Sequence, residues 1–402
     1  MKLIVTAMKN EGAFILEWVA YHRMIGFSDF LIYTNDCDDG TVELLDRLTQ
    51  MGIVRHERNE VLRRGPHKSA LKYAFAHPMT HAAEWIMISD VDEFLNIRMG
   101  GGSVQELIAA QPENTDAIPV AWRLFSHDDK VAFVDEPVMS QFTDAERGLG
   151  TGGFPDRFVK TVFRGLERLE RFGLHRPVVA AEHVDGYVSR APDGELFEGT
   201  MRDAKARTHF AYEVAQVNHY AVRSIDSYLL KRDRGRANHV NQVLGADYWQ
   251  KMCRGGEEDL SIQRHLKATQ AEIAELRSDP EIDQLHRSAV SWHAAKIEQL
   301  RADPAFEALR DEVMALSAAA DHKRARTDTP MALRIVADAD ATAVAAPVQQ
   351  AAAVATGTPQ ARLADMCREM RSLIDQFEPI AAAEAAQARL DEIERGLLGQ
   401  SR

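Results

Sequence analysis

Across residues 1–95, four short runs rich in β-branched and aromatic residues alternate with stretches of helical period. The runs are residues 3–8, 30–33, 53–56 and 85–89. Between the first two, Phe14, Ile15, Trp18, Val19, His22 and Ile25 mark one helical face, and Gly26 supplies the stop. Thr41 caps a second helix with Val42, Leu44, Leu45 and Leu48 inward and Gly52 at its end, and residues 67–83 make a third. Strands separated by helices are joined by crossovers, and crossovers give parallel pairing. The order predicts an α/β fold with a doubly wound, mostly parallel sheet, followed by a helical C-terminal region. Ligands of such sheets bind beyond the carboxyl ends of the strands. The residues after each run are therefore the ones to read for chemistry.

After the fourth run come Ser89-Asp90-Val91-Asp92-Glu93-Phe94-Leu95. On an extended chain, residues i and i+2 point the same way, so Asp90 and Asp92 are expected to face one point. Two hard oxygen ligands suit Mg²⁺ or Mn²⁺, ions that commonly carry a diphosphate; the other reading is a polar strand end that caps the next turn. After the first run, Asn10 and Glu11 either hydrogen-bond a base or ribose or cap the following helix. There is no Gly-x-Gly-x-x-Gly and no Walker loop here. After the second run, the acids of Asn35-Asp36-Cys37-Asp38-Asp39-Gly40 either bind a cation or a base N–H or form Asx-turns. Lys68, near the start of the third helix, is a phosphate partner or a solvated lysine. Far downstream, His219 is a candidate metal ligand. The basic run that contains Lys231, Arg234 and Arg236 faces a diphosphate or forms a solvated helix face.

Beyond the fourth run the pattern is mixed. Short strands are expected at residues 117–122, 157–163 and 177–180, with the Gly-rich segment 148–153 a candidate lid. Ser103 and Glu106 have capping-box spacing. Asp279-Pro280 and Asp303-Pro304 read as N-caps followed by Pro at the first helical position. The expected organisation is a catalytic domain over 1–240, a helical extension over 241–317, an Ala-rich linker over 318–358, and a C-terminal helical hairpin or short coiled coil over 359–402. The last segment is a candidate surface for homo-oligomers. A net charge of -13 argues against nucleic acid as a partner. The three widely separated cysteines, Cys37, Cys253 and Cys367, form no disulfide or zinc pattern and point to a reducing compartment. No run approaches the roughly 20 apolar residues of a membrane span, and the N-terminus lacks the features of a signal peptide. A cytoplasmic protein is expected, with at most peripheral membrane contact.

The ordered set Lys9-Asn10-Glu11-Gly12, Glu17-Trp18-Val19-Ala20-Tyr21-His22, Tyr33-Thr34-Asn35-Asp36, Asp39-Gly40-Thr41, Asp90-Val91-Asp92-Glu93-Phe94-Leu95, Arg157-Phe158-Val159-Lys160, and His219-Tyr220 through Lys231-Arg232-Asp233-Arg234-Gly235 resembles glycosyltransferase family 2-like proteins, a group that shades into family 92. The resemblance covers residues 1–240. It implies a GT-A fold and an inverting transfer from a nucleotide-diphosphate sugar, with a UDP-sugar favoured, to a hydroxyl acceptor such as a surface polysaccharide. It further implies that Asp90 and Asp92 bind Mn²⁺ or Mg²⁺, that His219 is a third ligand, and that Asn10, Glu11, Asn35 and Asp36 line the nucleotide site. Lys68, Lys231, Arg234 and Arg236 would face the phosphates. The general base falls among Asp128, Asp129 and Asp156, with Asp129 preferred and Asp156 next. Two other classes share parts of the pattern: a nucleotidyltransferase with a similar metal–diphosphate site, and a non-catalytic sugar-binding or scaffold protein acting through its helical tail.

Overall fold

In the computed structural model, the described residues are 1–147, 157–197, 205–206, 210–235 and 244–328. The first half runs β1 (Lys2–Met8), α1 (Ile15–Met24), β2 (Asp29–Thr34), α2 (Thr41–Gln50), β3 (Arg55–Arg58), α3 (Pro66–Ala76), α4 (Pro78–Ala82), β4 (Trp85–Ile88), β5 (Glu93–Ile97) and α5 (Val104–Ala109). It continues through β6 (Ala117–Leu124), α6 (Val138–Gln141), β7 (Asp144–Glu146), β8 (Arg157–Phe163), β9 (Leu169–Arg171), β10 (Val178–Val179), β11 (Lys205–Ala206) and β12 (Ala215–His219). The closing elements are α7 (Ile225–Arg234), α8 (Ala246–Met252), β13 (Gly256–Glu258), α9 (Leu266–Leu276), α10 (Pro280–Arg301) and α11 (Pro304–Asp328).

The main sheet has the order β3-β2-β1-β4-β8-β6-β12-β5. Its first four strands are mutually parallel, as the alternation predicts. The other half is mixed: β8 runs antiparallel to both β4 and β6, β12 runs parallel to β6, and β5 runs antiparallel to β12. Period-two burial divides the strands between two cores. Ile4, Phe30 and Ile32 pack with α1 and α2 on one face, while Leu3, Val5, Leu31 and Tyr33 pack with α3 on the other. Helices on both faces make the sheet doubly wound. The chain steps from β1 outward to β3 and then returns to the opposite side of β1 as β4. The β1/β4 border is thus the topological switch point, where a crevice opens at the carboxyl ends of the strands.

Local signals behave as their chemistry requires, with some shifts. The expected helix over 67–83 breaks at His77, which is extended because Pro78 follows it, and α4 restarts from that proline. The third strand lies two residues later than expected, at Arg55–Arg58. Thr41 opens α2 but is not its cap. Gly40 holds the N-cap position at φ 88°, and Asp39 accepts from the Thr41 and Gly12 amides. The Ser103/Glu106 capping box and the Asp279 N-cap are both formed.

Residues Met1–Leu316 are one compact unit. The helices expected to extend beyond residue 240 pack onto the sheet's own helices: Arg23 on α1 pairs with Glu272 on α9 at 2.9 Å, and Arg47 on α2 bonds the Asp279 cap of α10. Of the second unit, residues 317–402, the described part is helical, because α11 continues to Asp328 where the linker was expected. The remainder of the expected linker, the C-terminal hairpin and the 148–153 lid lie outside the described residues.

Glu17 on α1 is a buried acid in this framework. Its carboxylate accepts from the Val138 and Met139 amides at the start of α6, at 2.7 and 3.0 Å. Burial pushes its pKa from 4.5 to about 7, against those two hydrogen bonds and the Arg223 charge. A raised folded-state pKa contributes stability that is complete below 4.5 and lost as pH rises through 7, a difference of about 3 kcal/mol. Glu17→Gln is expected to remove that slope. In urea titrations the stability of the wild type relative to the variant should fall by about 3 kcal/mol between pH 4.5 and pH 8. A gap independent of pH would refute the assignment.

Candidate active site

The switch-point crevice opens into a cavity of about 1170 Å³. Its walls come from the ends of β1 (Ala7, Lys9, Glu11), the turn after β4 (Asp90, Val91, Asp92), β6 and β8 (Trp122, Phe158, Lys160), the end of β12 (His219) and α7 (Lys231, Arg232, Arg234). Strand β4 ends at Ile88, so Asp90 and Asp92 occupy a turn and not the extended strand end expected from their spacing. Both still face the cavity, because Val91 between them is anchored in the apolar core and Tyr220 N–H bonds the Asp92 carbonyl at 2.8 Å.

Each of these carboxylates carries an ammonium partner. Lys160 Nζ lies 3.0 Å from Asp90 Oδ2 and 3.1 Å from Glu93 Oε2, and Lys231 Nζ lies 2.5 Å from Asp92 Oδ2. Glu11 pairs with Arg223 at 3.1 Å and with Arg234, which also donates to the Lys9 and Asn10 carbonyls. Asn10 and Arg223 sit in the left-handed region, at φ 51° and 54°. That geometry is costly for arginine and is held by its surroundings: Arg223 lies over the Phe14 ring at 3.5 Å. Four acids, Glu11, Asp90, Asp92 and Glu93, are thereby matched by four bases, Lys160, Arg223, Lys231 and Arg234.

Burial and ion pairing compete over the protonation of this network. Burial works against the charge on Asp90, but Lys160 and His67 hold its carboxyl down at about 2. Asp92 is likewise held well below the carboxylate range by Lys231 and His219, against its burial. Glu93, wholly buried, is pushed upward by desolvation. Lys160 is 1 % exposed, and its burial is outweighed by Asp90 and Glu93, which raise it above the ordinary lysine range. Its ammonium is a fixed charge.

The other predicted residues divide. Glu11, Asp90, Asp92, His219, Lys231 and Arg234 line the cavity together. Asn10 is buried beside it, its amide clasping Asp38. Asn35 and Asp36 do not reach the cavity; they bond each other in the loop after β2, with Asp36 exposed. Lys68 is exposed, and its neighbour His67 turns inward instead. Neither ring nitrogen of His67 has a hydrogen-bond partner, Nε2 stands 3.8 Å from Asp90 Oδ1, and burial lowers its pKa to about 4. Asp128 accepts from the Thr143 and Asp144 amides, which makes it a loop brace. Asp129, the preferred base, is exposed on the same loop and absent from the cavity wall. Asp156 and Arg236 lie outside the described residues.

As a metal centre the donor set is incomplete without a ligand. Among the described residues no three His, Cys, Asp or Glu side chains are grouped to hold an ion, and His219 Nε2 faces Asp92 Oδ1 at 3.6 Å. Mg²⁺-type sites, however, commonly use one or two carboxylates and take their remaining ligands from water and substrate phosphates. Asp90 and Asp92 fit that arrangement. They do not fit a protein-only cage.

Fold and cleft together define an α/β protein whose working surface is the carboxyl edge of its sheet at the switch point. The chain belongs to glycosyltransferase family 92, whose family model matches residues 6–252. Relatives in that family include a Ricinus communis protein, 33% identical over 102 residues, covering 24% of this chain and 17% of that protein. An Oryza sativa subsp. japonica protein is 32% identical over 108 residues, covering 26% and 18%. The matched segment spans less than a fifth of the length of these relatives. Among solved structures, S. aureus TarS 1-349 in complex with UDP-GlcNAc aligns with a TM-score of 0.29 at 13% identity, over 79% of this chain and 87% of that one.

Proposed function

We propose that this protein transfers a sugar from a nucleoside-diphosphate sugar to a hydroxyl acceptor, and that Asp90 and Asp92 would hold a divalent ion that serves the donor diphosphate. The observation that carries this reading is the pair of carboxylates Asp90 and Asp92, held ionised by Lys160 and Lys231 and facing one cavity at the switch point beside the basic side chains of α7. When bound, such an ion acts as Lewis acid and template for the leaving group.

The chain's own residues position and compensate. Lys231 and Arg234 stand on α7 facing the cavity, Lys231 holding both Asp92 and the Ala221 carbonyl and Arg234 holding Glu11. Lys160 stays buried and keeps Asp90 ionised. Donors fixed in advance around a developing charge lower the barrier without reorganising during reaction. Inversion at the anomeric carbon, a uridine nucleotide and kinship with family 2 rest on the sequence resemblance. So do a polysaccharide acceptor and a cytoplasmic site of action. No described helix is long and apolar enough to cross a membrane.

The test is calorimetric titration with Mn²⁺ and a panel of nucleoside diphosphates and their sugars. Mn²⁺ alone should bind weakly, and one nucleotide should tighten it by roughly 10²-fold, a coupling of about 2.7 kcal/mol. Turnover of that donor with a hydroxyl acceptor would complete the assignment. No nucleotide binding from any member of the panel, with or without metal, would defeat it.

A further inference from the structure

The helix α10 lies beyond the residues that the family model matches, yet it packs against the elements that carry the cavity's cations. On α7, Ser227, Lys231 and Arg234 follow at i, i+4 and i+7 and form one stripe. α10 grips the start of that stripe and the row beside it. His293 Nε2 lies 3.3 Å from Ser227 Oγ, Ile297 and Leu300 pack with Leu230, and Lys296 Nζ pairs with Asp233 at 3.2 Å. One turn earlier on α10, Ala289 closes on Gly12 in the turn after β1. A Cβ built on Gly12 would come within 2.8 Å of the Ala289 methyl, so the glycine is what admits the helix there. α10 thus touches the turn after β1 and α7 at once.

His293 joins the two. Its buried ring meets Phe133 at 4.3 Å and Phe14 edge-on at 5.3 Å and 84°. Phe14 is the ring over which Arg223 lies, in its left-handed conformation. Burial, with Arg223 and Arg234 nearby, lowers the His293 pKa to about 3, so the ring is neutral and acts through its shape. Arg223 and Arg234 share the carboxylate of Glu11. A Phe14 ring without its edge contact could tilt and release Arg223. Glu11 would then draw on Arg234 alone, and Arg234 would meet a diphosphate with its charge already engaged.

We infer that α10 braces the cationic side of the cavity and that His293 is its positioning residue: the ring, set against Phe14 and Phe133, keeps Arg223 on Glu11 and leaves Arg234 to serve a diphosphate. The inference deepens the proposed function and rests on it for the diphosphate. It places part of the working site in a helix outside the matched family segment.

The experiment uses the full chain and the variants His293→Phe, which keeps the ring, and His293→Gln, which keeps a polar partner for Ser227 without the ring. Calorimetric titrations compare a nucleoside with its diphosphate. His293→Gln should weaken the diphosphate roughly tenfold, the weight of one hydrogen bond to a charged group, and leave the nucleoside within twofold. His293→Phe should bind both within twofold of wild type. A merely structural role would weaken both ligands together or neither. Phe14→Leu, which removes the platform under Arg223, should repeat the phosphate-selective loss, and it decides the matter alone if His293→Gln does not fold. Hydrogen exchange of the ligand-free protein separates this inference from the function it rests on. Amides of α7 should exchange at least about tenfold faster in His293→Gln, with β1 and β4 unchanged, even if no nucleotide binds. The inference is overturned if α7 exchange stays within twofold of wild type, if the nucleoside weakens as much as its diphosphate, or if His293→Phe loses as much as His293→Gln.

Discussion

Asp92→Asn is expected to lower donor turnover by at least about 10³-fold, since it removes the charge through which the ion and diphosphate are held. The asparagine carbonyl still accepts from Lys231, and Lys231 retains its bond to the Ala221 carbonyl, so the fold should survive. Steady-state assays at saturating Mn²⁺, paired with thermal unfolding of the same preparation, check both halves of the statement. The melting temperature should stay within a few degrees. Turnover within tenfold of wild type would remove Asp92 from the chemistry. Asp90→Asn should give a similar kinetic loss but a larger loss of stability, because Asp90 shares its ammonium with the buried Glu93.

Lys160→Met is expected to be the most damaging single change to stability. Lys160 is fully enclosed between Asp90 and Glu93, and methionine nearly matches its volume. The cost is therefore electrostatic: two carboxylates are left side by side with no counterion. Breaking a buried ion pair from one side typically costs about 3–5 kcal/mol. Glu93 can escape part of that by holding its proton, so the loss should grow as pH rises from 6 to 9. Adding Glu93→Gln should recover stability in the double variant. A Lys160→Met protein as stable as the wild type at pH 9 would mean that the triad does not support the fold.

Much of this architecture was legible in the sequence because it rests on local chemistry. Period-two and period-3.6 patterns placed the first four strands and their helices, and the Ser103, Asp279 and Asp303 caps follow from side chains that bond amides two or three residues away. The junction rule then directed attention to Glu11, Asp90 and Asp92. What was hidden depends on strands that meet from far apart. Lys160 sits among the apolar residues of β8 and is explained only by β4 on its flank, although a lone lysine within Phe158-Val159-Lys160-Thr161-Val162-Phe163 was a signal. His67 and Lys68 are adjacent in a helix, and only the packing of α3 decides which faces the cavity. Asn35 and Asp36 follow the same junction rule as Glu11 but belong to β2, one strand away from the switch point, and so fall short of the cleft. Trp122 lies in an expected strand and His175 carries no pattern, and their meeting at the cavity arises only once β6, β8 and the loop before β10 converge.

The pairing of Glu11 with Arg223 and Arg234, and of Asp92 with Lys231, has a consequence for how the protein is made. Ribosomes deliver the N-terminal half first, at about 5–20 residues per second. The parallel strands β1 to β4 therefore emerge with Glu11 and Asp92 lacking any basic partner, and they wait some seconds for α7 to leave the exit tunnel. During that interval the nascent edge of the sheet is an acidic surface open to cations and to chaperones. Glu11 and Asp92 acquire their basic partners only when Arg223 and α7 have been synthesised.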